Sequence, residues 1–147
     1  MYHIGLEIKN FNNVISRNIM NLKTLSYVQE ITGSNGYILQ YLVDHETQCI
    51  TQKDIEATLG ITRSTASTVL SRMEKKGLIS RNILESDSRV KEVKITQKGK
   101  DIAFQIATEV ADFEMNILKG FKKEEVLLFL NFIKQMKENI VGGQNDD

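Results

Sequence analysis

Apolar residues recur at helical spacing at both ends of the chain. Near the N-terminus Ile8, Phe11, Ile15, Ile19 and Leu22 form one stripe, the pattern of an amphipathic helix with a single buried face. Towards the C-terminus Ile102, Ile106, Val110, Phe113 and Ile117 step by 4, 4, 3 and 4. Val126, Phe129, Leu130, Ile133, Met136 (or Lys137) and Ile140 then follow the same period. Gly120 separates these two long helices, and residues 122–125 open the second. The run Thr32-Gly33-Ser34-Asn35-Gly36 ends the first helix, and residues 37–46 read as a short helix behind it.

The middle of the chain is punctuated more finely. Thr51 can cap a helix through Leu59, with Asp54 as its capping-box partner, and Gly60 ends it. Thr62 caps the next helix, which runs to Lys76 and stops at Gly77. Two strand-like runs follow, 78–84 and 90–96, joined by the polar turn 85–89. Residues 96–99 lead into the long helix. The predicted order is helix, helix, helix, glycine turn, helix, hairpin, long helix, long helix. Two short helices joined by a tight turn and followed by a hairpin describe a winged helix-turn-helix. The fold class expected is therefore mainly α with a small β-hairpin wing.

Length fits one domain at 147 residues. The absence of proline permits long helices. A single Cys excludes a disulfide framework within one chain. Glu7, Lys9 and Asn10 interrupt the N-terminal apolar residues, so no signal peptide is expected. The longest apolar run, 126–130, is far too short to span a bilayer. A cytoplasmic protein with no membrane partner is expected.

Charge changes the picture once it is divided by segment. The whole chain is neutral, with 19 Lys and Arg against 19 Asp and Glu. Residues 51–100 hold 11 basic against 6 acidic side chains, a net +5. The segments before and after carry −1 (3 basic, 4 acidic) and −4 (5 basic, 9 acidic). Arg63, Arg72, Arg81 and Arg89 all lie in the basic segment, and only Arg17 lies outside it. Arginine makes bidentate contacts that lysine cannot, and such charge asymmetry points to nucleic acid.

The helix over 62–76 carries the most informative face. Ala66, Val69, Leu70 and Met73 form its buried stripe. The opposite face centres on Ser64, Thr68, Ser71 and Lys75, flanked by Ser67 and Arg72, with Glu74 turned towards the core edge. Hydroxyls allow close approach to phosphates and base edges, and arginine pairs bidentately with guanine. The helix start near Thr62, Arg63, Ser64 and Thr65 adds the positive end of the dipole. A solvated Ser/Thr-rich surface helix is the plainer reading; the turn before it and hairpin after it favour DNA. At the hairpin tip Arg89 can probe a narrow minor groove. Asp87 can either restrain Arg89 or pair with Arg81.

The stretch ITQKDIEATLGITRSTASTVLSRMEKKGLISRNILESDSRVKEVKITQKGK, residues 50–100, resembles the MarR (multiple antibiotic resistance regulator) family of bacterial transcription regulators. The signatures are LGITRSTAS, LSRMEKKGLI, Arg81, Asp87-Ser88-Arg89 and ITQKG. Ser88 stands where relatives often carry a charge. The resemblance implies a homodimer whose terminal helices, 1–31 and 101–141, interlock around winged domains at 32–100, with 142–147 as a flexible tail. It implies a repressor or activator on a pseudo-palindromic operator, tuned by a small ligand, metal or oxidant. Repression through double-stranded DNA is the expected function. Thr62, Arg63, Ser64, Thr65, Ser67, Thr68, Ser71, Arg72, Lys75, Arg89 and Lys91 are the DNA-binding candidates, supported by Arg81 and Asp87. Lys76 and Lys94 join Lys75 and Lys91 as phosphate candidates.

No effector residues can be assigned. Cys49 is expected to be a buried structural thiol, since redox-sensing relatives carry theirs in the first helix. His45 lacks a second ligand at i+3 or i+4, so no metal site is expected. Phe11, Tyr37 and Tyr41 could line an effector cleft, but core packing is the expected role of each. No phosphate loop, HExxH or Cys–His pair marks an enzyme, and no cofactor is implied. The alternative to a DNA regulator is a winged helix used for protein–protein contact.

Overall fold

The computed structural model describes residues 1–142. Seven helices and one hairpin occur among them: α1 (Ile4–Ile19), α2 (Lys23–Thr32), α3 (Tyr37–Asp44), α4 (Gln52–Leu59), α5 (Arg63–Lys75), β1 (Ile79–Ile83), β2 (Lys91–Ile95), α6 (Gln97–Ile117) and α7 (Lys123–Gly142). This is the mainly helical winged helix-turn-helix that the residue pattern predicts. The chain forms two compact units, one spanning Met1–Val110 and a second beginning at Ala111.

Local chemistry explains the helix-turn-helix. The Asp54 carboxylate accepts from both the backbone N–H and the hydroxyl of Thr51, each at 2.7 Å, which fixes the start of α4. Those two bonds hold the Asp54 carboxyl below its ordinary pKa. Gly60 ends α4 in the left-handed region at φ 63°, which favours glycine. Thr62 then caps α5 by accepting from Thr65 N–H at 3.1 Å. Gly77, at φ 75°, turns the chain from α5 into β1.

The core of the first unit lies behind α5. Val28 and Ile31 from α2, Ile38, Leu39 and Leu42 from α3, and Ile55 from α4 meet Val69, Leu70 and Met73 of α5. Leu78, Ile79 and Val93 close it from the hairpin, and Ala103 from α6. Each large side chain so buried contributes about 1.5–3 kcal/mol. The strands pair antiparallel, Ile79 opposite Ile95 and Arg81 opposite Val93. They are one residue shorter at each end than the pattern suggests. Ile50 and Thr51 add a short bridge: Val93 N–H donates to Ile50 C=O at 2.7 Å, and Thr51 pairs with Glu92.

Four local expectations need correction. The first helix is broken between Ile19 and Lys23, where Leu22 adopts an extended backbone. Asn21 and Leu22 N–H groups reach back three residues, to Asn18 and Ile19, the tightened turn of a helix end. The apolar stripe runs across this break, so its period conceals it. Gly99 does not precede the long helix; it lies inside α6 and is buried. A Cβ there would sit 2.2 Å from the Leu78 carbonyl oxygen, so only glycine allows α6 this close to the hairpin. Cys49 is exposed, because Ile50 points into the core from an extended segment and its neighbour therefore faces out. Phe11 and Tyr37 are also exposed, while Tyr41 is partly buried against the core and its ring lies 4.4 Å from that of His45.

The outer helices contrast with this core. Neither α1 nor α7 contains a buried residue. Ile4, Leu6, Ile8, Phe11 and Val14 are exposed on α1, as are Leu127, Leu128, Phe129, Leu130 and Phe132 on α7. No described helix is long and apolar enough to cross a membrane. Of the expected tail 142–147, Gly142 ends α7 and the remainder lies outside the described residues.

Candidate nucleic-acid interface

The buried stripe of α5 is the expected one: Ala66, Val69, Leu70 and Met73. This anchors the opposite face outwards. Thr62, Arg63, Ser64, Ser67, Thr68, Ser71, Arg72 and Lys75 are all exposed, while Thr65 is half-buried.

Hydrogen bonding divides these candidates into two groups. Thr62 and Thr65 are occupied with each other, since the Thr62 hydroxyl also donates to Thr65 Oγ1 at 2.9 Å. Ser71 Oγ accepts from Arg81 Nη2 at 3.2 Å. Among the described residues, Ser64, Ser67, Thr68, Arg72 and Lys75 have side chains with no hydrogen-bond or ion-pair partner. Their donors and cations face solvent from one rigid helix. The side chain of Arg63 is likewise unpaired among the described residues; its carbonyl accepts from Gln52 Nε2 at 3.4 Å.

Arg81 sits opposite Val93 on the hairpin and turns back onto α5. Its Nε and Nη2 donate to Glu74 Oε2 at 3.1 and 2.7 Å. Arg81 thus ties the first wing strand to α5 rather than to the wing tip. Its hydrogen bond holds the Glu74 carboxyl below its ordinary pKa, against a smaller opposing effect of burial. Glu74 has no part in the sequence-based site, because its partner depends on strand register beyond Gly77.

Of the two roles open to Asp87, the structure shows a bond to Arg89 and none to Arg81. Asp87 Oδ1 accepts from the Arg89 backbone N–H at 3.0 Å, and Asp87 C=O accepts from Val90 N–H at 3.0 Å. This pins the turn while the Arg89 side chain stays exposed. Lys91 is exposed at the start of β2. Lys94 pairs with Glu92 at 3.2 Å, which reduces its value as a free cation. Lys76 offers an exposed side chain, and its carbonyl accepts from Lys98 Nζ at 2.8 Å. Lys98 is a further basic residue at the end of α5 that pattern reasoning missed; its proximity depends on the turn at Gly77.

His45 occupies the C-cap of α3, with Nδ1 2.8 Å from Tyr41 C=O. It borders a cavity of about 220 Å³ beneath β2, with Leu42, Ile50 and Val93 among its walls.

Comparison with known proteins agrees with this architecture. Residues 29–89 match the sequence model of the MarR family. The heme sensor PefR from Streptococcus agalactiae, solved with heme, is 26% identical with a TM-score of 0.72, over 100% of both chains. A variant of S. aureus MepR is 22% identical with a TM-score of 0.80, over 95% of this chain and 99% of that one. The S. aureus MepR–DNA complex is 24% identical with a TM-score of 0.70, over 87% of this chain and 96% of that one. The two MepR likenesses speak for the fold. The helix-turn-helix, the first wing strand and Arg89 lie within the 29–89 segment that matches the MarR family, and the chain as a whole shares the winged helix-turn-helix fold of these solved structures.

Proposed function

We propose that this protein is a homodimeric repressor that binds a pseudo-palindromic operator in double-stranded DNA. The observation that carries the reading is the outer face of α5. Ser64, Ser67, Thr68, Arg72 and Lys75 present donors and positive charge with no intramolecular partner among the described residues. Such a face suits the major groove, where hydroxyls reach phosphates and arginine reads guanine. Arg63 and the Thr62–Thr65 cap start that helix, and Ser71 and Arg81 brace it against the wing. Arg89 enters the minor groove from a turn pinned by Asp87. Lys75, Lys76 and Lys91 supply the salt-dependent phosphate attraction, with Lys94 held back by Glu92. The same fold is seen on DNA in the MepR complex.

A second copy covers the apolar side chains that α1 and α7 leave exposed, Phe11 and Phe129 among them. Two winged domains then meet half-sites about one helical turn apart. Release by a small-molecule effector completes the proposal, and no residue is assigned to the effector. The protein acts by binding rather than by catalysis.

Titration against its own upstream promoter DNA at several salt concentrations tests the reading. Affinity is expected to exceed that for random duplex and to fall linearly with log salt on a logarithmic scale. Equal affinity for both duplexes contradicts a specific regulator. Weak, salt-insensitive binding to both supports the protein-contact alternative.

A further inference from the structure

Helix α2 begins without a cap of its own, since its N-cap is Leu22 and no local side chain bonds its first N–H groups. The missing acceptor comes from Glu109 on α6, 85 residues away. Glu109 Oε1 accepts from the Thr24 hydroxyl at 2.6 Å and from Thr24 N–H at 3.1 Å. Oε2 accepts from the same N–H at 3.0 Å. A carboxylate at a helix N-terminus satisfies orphan donors and complements the dipole, and this one is partly shielded from water.

The capped helix is the one behind the recognition helix. α2 packs directly against α5, and its Val28 and Ile31 share the core with Val69 and Leu70. The start of α6 also grips the far end of α5. Thr96 Oγ1 donates to Gly77 C=O at 2.6 Å, and Lys98 Nζ donates to Lys76 C=O at 2.8 Å. One helix thus holds the recognition helix at its end and, through α2, from behind.

We propose that Glu109 is a positioning residue for DNA reading: by capping α2 it sets the pose of the outer face of α5. The proposal rests on the DNA-binding reading above. Phosphate contacts tolerate a small tilt of α5, because the attraction of a lysine for a phosphate is broad. Contacts to base edges are directional and do not. Loss of the cap therefore degrades discrimination between sequences more than it degrades attraction to DNA.

The test measures a ratio of affinities. The preferred duplex is selected from a random pool with the full-length protein, and affinities for it and for a scrambled duplex are compared at one salt concentration. Glu109→Ala is expected to weaken binding to the selected duplex about tenfold and to the scrambled duplex less than about twofold. Glu109→Gln, which keeps the size and one acceptor oxygen, is expected to fall between. Thr24→Val combined with Glu109→Ala is expected to add little to Glu109→Ala alone, because both remove the same joint. Circular dichroism at the assay temperature confirms that each variant is folded, and Glu109→Gln carries the test if Glu109→Ala is not. An unchanged ratio, or an equal loss on both duplexes, overturns the proposal. Failure of the parent protein to select any sequence overturns the regulator reading instead.

Discussion

The winged unit and the outer helices use apolar residues in opposite ways. Around α5, every position of the stripe meets a partner from another element, and Ile38, Ile55, Leu70, Met73 and Leu78 are fully buried. On α1 and α7 no position of an equally regular stripe is fully buried, and Ile15, Ile19, Val126, Ile133 and Met136 are only half-buried. Periodicity alone cannot tell these cases apart, since amphipathic spacing states that a face wants covering but not what covers it. The difference separates the face that the chain covers by itself from the faces that the proposed second copy would cover.

The largest effect that sharpens this contrast is expected in the core. Leu70→Ala should cost about 2–5 kcal/mol in urea unfolding, at any protein concentration, because it opens a cavity behind α5. Phe129→Glu on α7 should leave that core intact and instead abolish the concentration dependence of Tm, the sign of an interface lost. A Phe129→Glu protein that melts with unchanged concentration dependence would break the comparison.

Gly99→Ala should cost about 1–3 kcal/mol in the same unfolding assay. Its Cβ would meet the Leu78 carbonyl, and backbone on both sides must shift. Arg89→Ala should weaken operator binding by about 1–3 kcal/mol while leaving unfolding unchanged. Unchanged affinity would reduce the wing to scaffolding.

Smaller effects belong to the caps and ion pairs. Thr51→Ala should cost about 1 kcal/mol of stability through loss of the α4 cap. Asp54 and Glu74 both have carboxyls held below their ordinary pKa, by Thr51 and by Arg81 respectively. Their contributions are therefore complete above the unfolded-state carboxylate pKa and disappear as pH falls through the lowered folded values. Thr51→Ala and Arg81→Ala should each flatten the acid limb of the stability–pH curve. Both effects should be small, because Asp54 is exposed and Glu74 is 40% exposed, so water screens each carboxylate.

How legible the fold was from sequence follows how local each determinant is. Thr51, Gly60, Thr62 and Gly77 act within a turn of where they stand, so the helix-turn-helix could be read almost residue by residue. The outer face of α5 followed from the same helix geometry. The break at residues 20–22 escaped because Ile15, Ile19 and Leu22 keep their period across it. Gly99 looks like a turn residue because its reason, the Leu78 carbonyl just before β1, lies outside its own segment. The partner of Arg81 depended on register, and the cap on α2 depended on a carboxylate 85 residues away. Exposure of Cys49 turned on the direction of one extended residue beside it. Interactions closed within one turn were readable; those closed by packing were not.

The central claim is that one face reads DNA while the outer helices join two copies that read it together. Sedimentation equilibrium of the protein with a selected duplex, at physiological salt, tests both halves at once. The account predicts two chains on each duplex and a dimer in the absence of DNA. A monomer in free solution, or one chain per duplex, would contradict it.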